Sequence, residues 1–266
     1  MTRVAGVVGR PIGQSLSPLI HGAWIAAAGL DARYEAFEPA DETAFAALVE
    51  RVRAGELAGL NVTAPFKEAA FALADVVSQT ARRCGSANLL VGRDGVLWAD
   101  STDGRGLSAA LAEQAPELDL AGTPTVMLGA GGAARAAVAA LVETDARVTV
   151  VNRSRERAES LAADLGVAIG GIEAAHQARL IVNALSVQPD LDMTALRPDA
   201  VLMDMSYRPV MTPFLAAGRA RGLTTVDGLA MLIGQARPSF EALFGVAPPA
   251  VDVRALATAW MREAAS

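Results

Sequence analysis

The sequence predicts a two-domain α/β protein, and three observations predict it. Short β-branched runs alternate with longer helical patterns, the arrangement of sheets covered by helices. That alternation runs through once up to about residue 104 and starts again near residue 124. A chain of 266 residues has room for one or two domains of ordinary size.

In the first series, residues 3–8 read as a strand, 17–28 as a helix, 33–37 as a strand, 43–54 as a helix and 59–62 as a strand. Residues 66–74 read as a helix. Residues 87–91 and 96–99 read as strands joined at Arg93-Asp94-Gly95, because Asp-Gly favours a tight hairpin turn. A helix over 106–115 leads to the second series. There, 125–128 and 147–151 read as strands around a glycine-rich turn at 129–134 and a helix at 135–142. Later strands fall at 180–183, 201–205 and 224–226, and helices at 229–244 and 251–264. The expected division is a first domain at 1–104, completed by 228–266, and a second at 105–227.

Composition narrows the chemistry. Lys and Arg total 23, of which 22 are Arg and only Lys67 is lysine. A lysine ammonium can give up a proton when its surroundings favour it, whereas a guanidinium effectively cannot. Lys67 is therefore the first candidate for proton transfer, although an Ala- and Arg-rich composition could leave one lysine by chance. One Cys, Cys84, and two His, His21 and His176, make neither a disulfide nor a Cys/His zinc set. A net charge of −6 argues against a general nucleic-acid or membrane-surface binder. The N-terminal Met-Thr-Arg-Val-Ala-Gly lacks a signal-peptide pattern, and no apolar run has the length of a membrane span. The expected location is the cytoplasm. No heptad or large apolar stripe distinguishes a monomer from a homodimer.

Gly129-Ala130-Gly131-Gly132-Ala133-Ala134 matches the dinucleotide fingerprint G-x-G-x-x-G/A. The first glycine permits the tight turn, the second lets backbone approach pyrophosphate, and the final small residue lets helix and strand pack closely. The next strand ends in Asn152-Arg153-Ser154-Arg155-Glu156-Arg157. A site for NAD usually has Asp or Glu at that strand end, to hold the ribose 2′-hydroxyl. Arginines stand here instead, and guanidinium forks suit a 2′-phosphate. The second domain is thus expected to be a Rossmann-type domain that prefers NADP.

The first series leaves polar residues where strands end, the edge at which open α/β sheets bind ligands. Ser15-Leu16-Ser17-Pro18 precedes a helix, and Ser17 stands where it would cap it. Asn61-Val62-Thr63-Ala64-Pro65-Phe66-Lys67 follows a strand. Asn88 and the segment Thr102-Asp103-Gly104 come later. His21 and the tryptophans Trp24, Trp98 and Trp260 read as structural or packing residues, His176 as a surface residue, and Cys84 as an unactivated thiol.

These segments resemble the shikimate dehydrogenase family over nearly the whole chain, in the family's order. They run from Gly9–Pro18 with His21 through Gly59–Lys67, Asn88, Thr102–Gly104, Gly129–Arg135 and Asn152–Ser154. Asp204–Pro209 with Thr212-Pro213, and Asp227–Leu232 with Gln235, complete the set. The resemblance implies reversible reduction of 3-dehydroshikimate to shikimate by NADPH, on the route to chorismate and the aromatic amino acids. It implies an N-terminal α/β substrate domain beside the Rossmann-type one. It puts a Lys–Asp pair on Lys67 and Asp103, Ser15 and Ser17 at the substrate carboxylate, and Asn61, Thr63, Asn88, Tyr207 and Gln235 at carboxylate or ring hydroxyls. Gly228 and Met231 join the cofactor residues.

Chemistry agrees with the pairing, because a ketone reduced by hydride also needs a proton for the forming alkoxide. Burial lowers a lysine's affinity for its proton and a neighbouring carboxylate raises it, so which member carries the proton stays open. Departures from the family fall at Gln14, Leu89, Ser101 and 183–187, where Leu185 replaces a frequent Thr, and at Leu243-Phe244-Gly245. They leave quinate/shikimate or aminoshikimate dehydrogenase as alternatives within the family. A non-catalytic NADP sensor is the alternative outside it.

Overall fold

Valine- and isoleucine-rich runs favour pleated, buried ladders, and here they build two six-stranded sheets. The computed structural model describes residues 2–185 and 187–264. The chain divides into two units, one of Met1–Thr102 with Gln235–Ser266 and one of Asp103–Gly234.

The first unit opens with β1 (Arg3–Val8), α1 (Ser17–Ala27), β2 (Ala32–Phe37), α2 (Glu42–Arg53), β3 (Gly59–Val62) and α3 (Lys67–Leu73). It continues with β4 (Val76–Val77), α4 (Gln79–Cys84), β5 (Leu89–Arg93) and β6 (Val96–Asp100). The sheet order is β2-β1-β3-β5-β6-β4. β1 runs parallel to both neighbours, whereas β5 is antiparallel to β3 and β6. The β5–β6 turn places Asp94 at φ 52° and Gly95 at φ 77°, the left-handed pair that matches strand twist in a two-residue hairpin.

Two expectations change here. Ser17 does not cap α1: it lies inside the first turn, Leu16 holds the cap position without a side-chain bond, and the Ser17 N–H donates to Ser15 Oγ at 3.3 Å. Trp24 is fully buried, but Trp98 and Trp260 are 43% and 36% exposed. β6 alternates inward and outward, and Trp98 falls on an outward position. His176 is half-buried and Cys84 is buried.

The second unit runs α5 (Asp103–Gln114), β7 (Pro124–Leu128), α6 (Gly132–Glu143), β8 (Arg147–Val151), α7 (Arg155–Leu165), β9 (Ala168–Ile169), β10 (Leu180–Asn183), β11 (Val201–Asp204), α8 (Pro213–Ala220) and β12 (Thr224–Val226). Helix α9 (Gly228–Phe244) spans the division at Gly234, and α10 (Val253–Glu263) follows it in the first unit. All strands of the second sheet are parallel, in the order β12-β11-β10-β7-β8-β9. Counted from β7, this is the doubly wound order 3-2-1-4-5-6, whose strand order reverses between β7 and β10. Apolar side chains of α5, α6, β7, β8, β10 and β11, including Leu107, Val138, Met127, Val150, Val182 and Met203, fill its core. Among the described residues, no helix is long and apolar enough to cross a membrane.

Candidate functional site

In the first sheet, order reverses at β1, which lies between β2 and β3. Loops leaving β1 and β3 therefore emerge side by side at one sheet edge, where such folds bind ligands. Backbone bonds join them: the Arg10 N–H donates to the Ala64 carbonyl at 2.9 Å and the Thr63 N–H to the Val8 carbonyl at 2.9 Å. Gly9 is required by this approach, since a Cβ there would collide with Thr63 Cγ2. The β1 loop carries half-buried Ser15 and leads to buried Ser17. The β3 loop carries half-buried Thr63 and ends at Lys67, the first residue of α3. Lys67 is half-buried, and its carbonyl accepts from the Ala87 N–H at 3.0 Å, beside Asn88.

Asn61, Asn88 and Gln235 meet in one hydrogen-bonded cluster. Asn61 Oδ1 accepts from the Tyr34 hydroxyl at 2.8 Å, and Asn61 Nδ2 donates to Ser239 Oγ at 2.9 Å. Asn88 Nδ2 donates to Gln235 Oε1 and to Thr102 Oγ1, each at 3.0 Å. Asn88 Oδ1 accepts from the Thr102 N–H at 2.8 Å. Thr102 and Ser239 did not emerge as site residues from the sequence. Their only local signals are adjacency to Asp103 and a spacing of one helical turn after Gln235.

His21 lies beneath this cluster, with its ring stacked on Tyr34 at 4.1 Å and an interplanar angle of 6°. Burial lowers its pKa to about 3, and its Nδ1 has no hydrogen-bond partner. It is a neutral packing residue at ordinary pH. Burial also raises the Tyr34 hydroxyl well above its usual range, so it remains a donor.

Ser15, Ser17, Asn61, Thr63, Lys67, Asn88 and Gln235 thus belong to the first unit, whereas Asp103 and Tyr207 belong to the second. Helix α5 begins three residues before the expected 106, which puts Asp103 in its first turn. Asp103 is 7% exposed there, a position where the helix N-terminus favours negative charge. Tyr207 is half-buried in the loop after β11. Asp204 anchors that loop by accepting from the Ser206 N–H at 2.9 Å and the Thr212 hydroxyl at 2.7 Å.

At the strand reversal of the second sheet, Gly129 has φ 118°. A side chain there would be strained by the backbone conformation, while meeting Ala184 and Leu185 at ordinary contact distance. Gly131 caps α6 without a side-chain bond, and the first turn, with Gly132 and Ala133, holds no acid. A Cβ at Gly131 would enter open space. These amides can receive a pyrophosphate, with half-buried Ala130 between them. After β8, Asn152 Nδ2 donates to the Ser154 carbonyl at 2.9 Å, and Ser154 Oγ caps α7. Arg153 and Arg155 are exposed beside them. Arg155 is engaged by Glu159, with Nε 2.7 Å from the carboxylate. Gly228 starts α9, and Met231 is packed in the second unit's core. Among the family departures, Gln14 is exposed and Leu89 and Ser101 are buried; Ser186 lies outside the described residues.

Residues 7–90 match the model of the shikimate dehydrogenase substrate binding domain, and residues 110–186 that of shikimate / quinate 5-dehydrogenase. The chain is 51% identical to shikimate dehydrogenase (NADP(+)) of Caulobacter vibrioides, over 96% of this chain and 94% of that one. Shikimate 5-dehydrogenase of Thermus thermophilus, solved with NADP(H) and shikimate, is 35% identical with a TM-score of 0.88, covering 98% and 99% of the two chains. Quinate dehydrogenase of Corynebacterium glutamicum, solved with NAD, is 28% identical with a TM-score of 0.86, covering 98% and 99%.

Proposed function

The chain belongs to the shikimate dehydrogenase family, and from that premise we propose how its residues carry out the NADP-dependent interconversion of shikimate and 3-dehydroshikimate. Lys67 gives a proton to the oxygen that becomes the hydroxyl in reduction and takes it back in oxidation. Asp103 is its carboxylate partner and holds the ammonium in place. Ser15, Ser17 and Thr63 receive the substrate carboxylate. Asn61, Asn88, Tyr207 and Gln235 hold the ring hydroxyls.

The glycine turn and the arginines suit NADP. Open space at Gly131 and the uncapped start of α6 leave backbone amides for the pyrophosphate, assigned to Gly129, Ala130, Gly131, Gly132 and Ala133. Asn152, Arg153, Ser154 and Arg155 would take the 2′-phosphate end, and Gly228 and Met231 would complete the cofactor-binding set. When bound, NADPH supplies the hydride. The chain's own part is to orient the ring and to supply the proton.

The observation that carries this reading is the juxtaposition, at one edge of the first sheet, of the chain's single lysine with Thr63, Asn61 and Asn88. NADP reduction by shikimate, followed as NADPH absorbance, tests it with Lys67→Ala as control. Turnover by the native chain and its loss in the variant support the assignment; faster turnover of quinate would replace the substrate.

A further inference from the structure

The polar cluster around Asn88 has a fixed direction, because backbone groups that cannot reverse lie within it. The Thr102 N–H can only donate, and it meets Asn88 Oδ1 at 2.8 Å. Asn88 must then turn its NH₂ toward Thr102 Oγ1 and Gln235 Oε1. Gln235 consequently faces Asn88 with its carbonyl, which leaves its own NH₂ at the far end of the amide. A reversed Gln235 would set two N–H donors against each other beside Thr102 and Ser239, both 0% exposed, where an unpaired polar group is costly.

Ser239 fixes the other side. The Gln235 main-chain carbonyl can only accept, and it takes the Ser239 proton at 3.0 Å. Ser239 Oγ is then an acceptor for Asn61 Nδ2, whose second hydrogen goes to the Asn88 carbonyl at 3.3 Å. The single Thr102 hydroxyl proton has three acceptors in reach, Gln235 Oε1 at 3.2 Å and Ser239 Oγ and Asn88 Oδ1 each at 3.3 Å, and Gln235 Oε1 is the nearest. Thr102 and Gln235 are also the residues at which the chain leaves and re-enters this unit.

We propose that Thr102 and Ser239 are positioning residues that lock the amide direction of Asn88 and Gln235, so that Gln235 offers N–H donors to the ligand. A ring substituent with lone pairs, a hydroxyl or carbonyl oxygen, is accepted; an ammonium group, which has only donors, is rejected. This rests on the reading above, in which Gln235 binds the ring of shikimate.

Steady-state constants for shikimate, its amino analogue and NADP, measured on the native chain and on Thr102→Val, Thr102→Ser and Ser239→Ala, test it. The native chain should favour shikimate over the amino analogue by about tenfold or more, the weight of one mismatched hydrogen bond. Thr102→Val keeps the backbone N–H that orients Asn88 but removes the hydroxyl that accepts from Asn88 Nδ2 and faces Gln235 Oε1. Freeing Gln235 in this way should raise the KM for shikimate about tenfold, leave the KM for NADP within about twofold and narrow that preference. Thr102→Ser should restore native values to within about threefold, and Ser239→Ala should act in the same sense as Thr102→Val. A purely structural role would move Tm and both KM values together. If Thr102→Val does not fold, Ser239→Ala carries the test alone. An unchanged KM for shikimate in a folded variant, or equal use of the amino analogue by the native chain, would overturn the positioning role. A native chain inactive on shikimate would overturn the underlying reading instead.

Discussion

The two units handle polar groups in opposite ways. In the first, Asn61, Asn88, Thr102 and Ser239 are buried and bonded to one another. In the second, the proposed cofactor residues are backbone amides at an open helix end and exposed arginines. On the proposed assignment, the difference follows from what each would recognise. Apart from its carboxylate, a hydroxylated ring offers little charge, so discrimination among its hydroxyls depends on donors and acceptors already paired in place. A phosphate carries enough charge to be held by amides and guanidinium groups at a surface. The first solution needs partners from distant parts of the chain, whereas the second is built from one strand–turn–helix.

The sharpest way to break this comparison is Lys67→Ala. It should lower kcat by about 10²–10⁴ with a smaller effect on KM, as loss of a general acid–base does. If kcat survives within about tenfold, the chemistry does not reside at that residue of the first unit.

Acid should then strike the first unit through His21. Its pKa is near 3 in the folded chain and 6.5 when unfolded, so the unfolded state binds the proton first. Its contribution to stability is intact above pH 6.5 and is lost as pH falls from 6.5 toward 3, at about 1.4 kcal/mol per pH unit. Urea unfolding at pH 8, 6 and 5 should show this slope, and His21→Phe should flatten it. An equal slope in the variant would place the acid sensitivity elsewhere.

Two glycines separate backbone strain from ligand space in the second unit. Gly129→Ala forces a side chain into φ 118° and should cost about 1–3 kcal/mol of stability. Gly131→Val enters open space; it should leave Tm nearly unchanged while raising the KM for NADP about tenfold. Equal Tm losses in both would contradict the assignment of Gly131 to the pyrophosphate.

The smallest effects distinguish the arginines. Arg155 already pairs with Glu159, at 87% and 51% side-chain exposure, so Arg155→Ala should raise the KM for NADP by about threefold or less. Arg153→Ala should raise it about tenfold, the weight of a charged hydrogen bond. Neither should alter the KM for NAD, and a parallel change for NAD would remove both from the 2′-phosphate.

Much of the architecture was legible. The strands Arg3–Val8, Gly59–Val62, Arg147–Val151, Leu180–Asn183 and Thr224–Val226 occupy the ranges that their β-branched runs predict. Two-residue strands such as Val76–Val77 and Ala168–Ile169 are too short to show a period, and they exist only because a neighbouring strand supplies their bonds. The short helices Gln79–Cys84 and Pro213–Ala220 went unread for a related reason, each offering little more than two turns of pattern at most, and the three-turn Arg155–Leu165 went unread as well. Ser17 looked like a cap because residue type and neighbours suit one, but the backbone enters the helix one residue earlier.

By itself, the sequence determined the α/β class, the glycine turn, the arginine-rich end of the second strand and the singularity of Lys67, all of them properties of neighbouring residues. Only the tertiary structure decided which way Asn88 and Gln235 face and that Thr102 and Ser239 hold them. Those bonds join residues as far as 147 and 178 positions apart. A hydrogen bond acts over about 3 Å with a required direction, and no pattern of neighbours along the chain encodes such an approach.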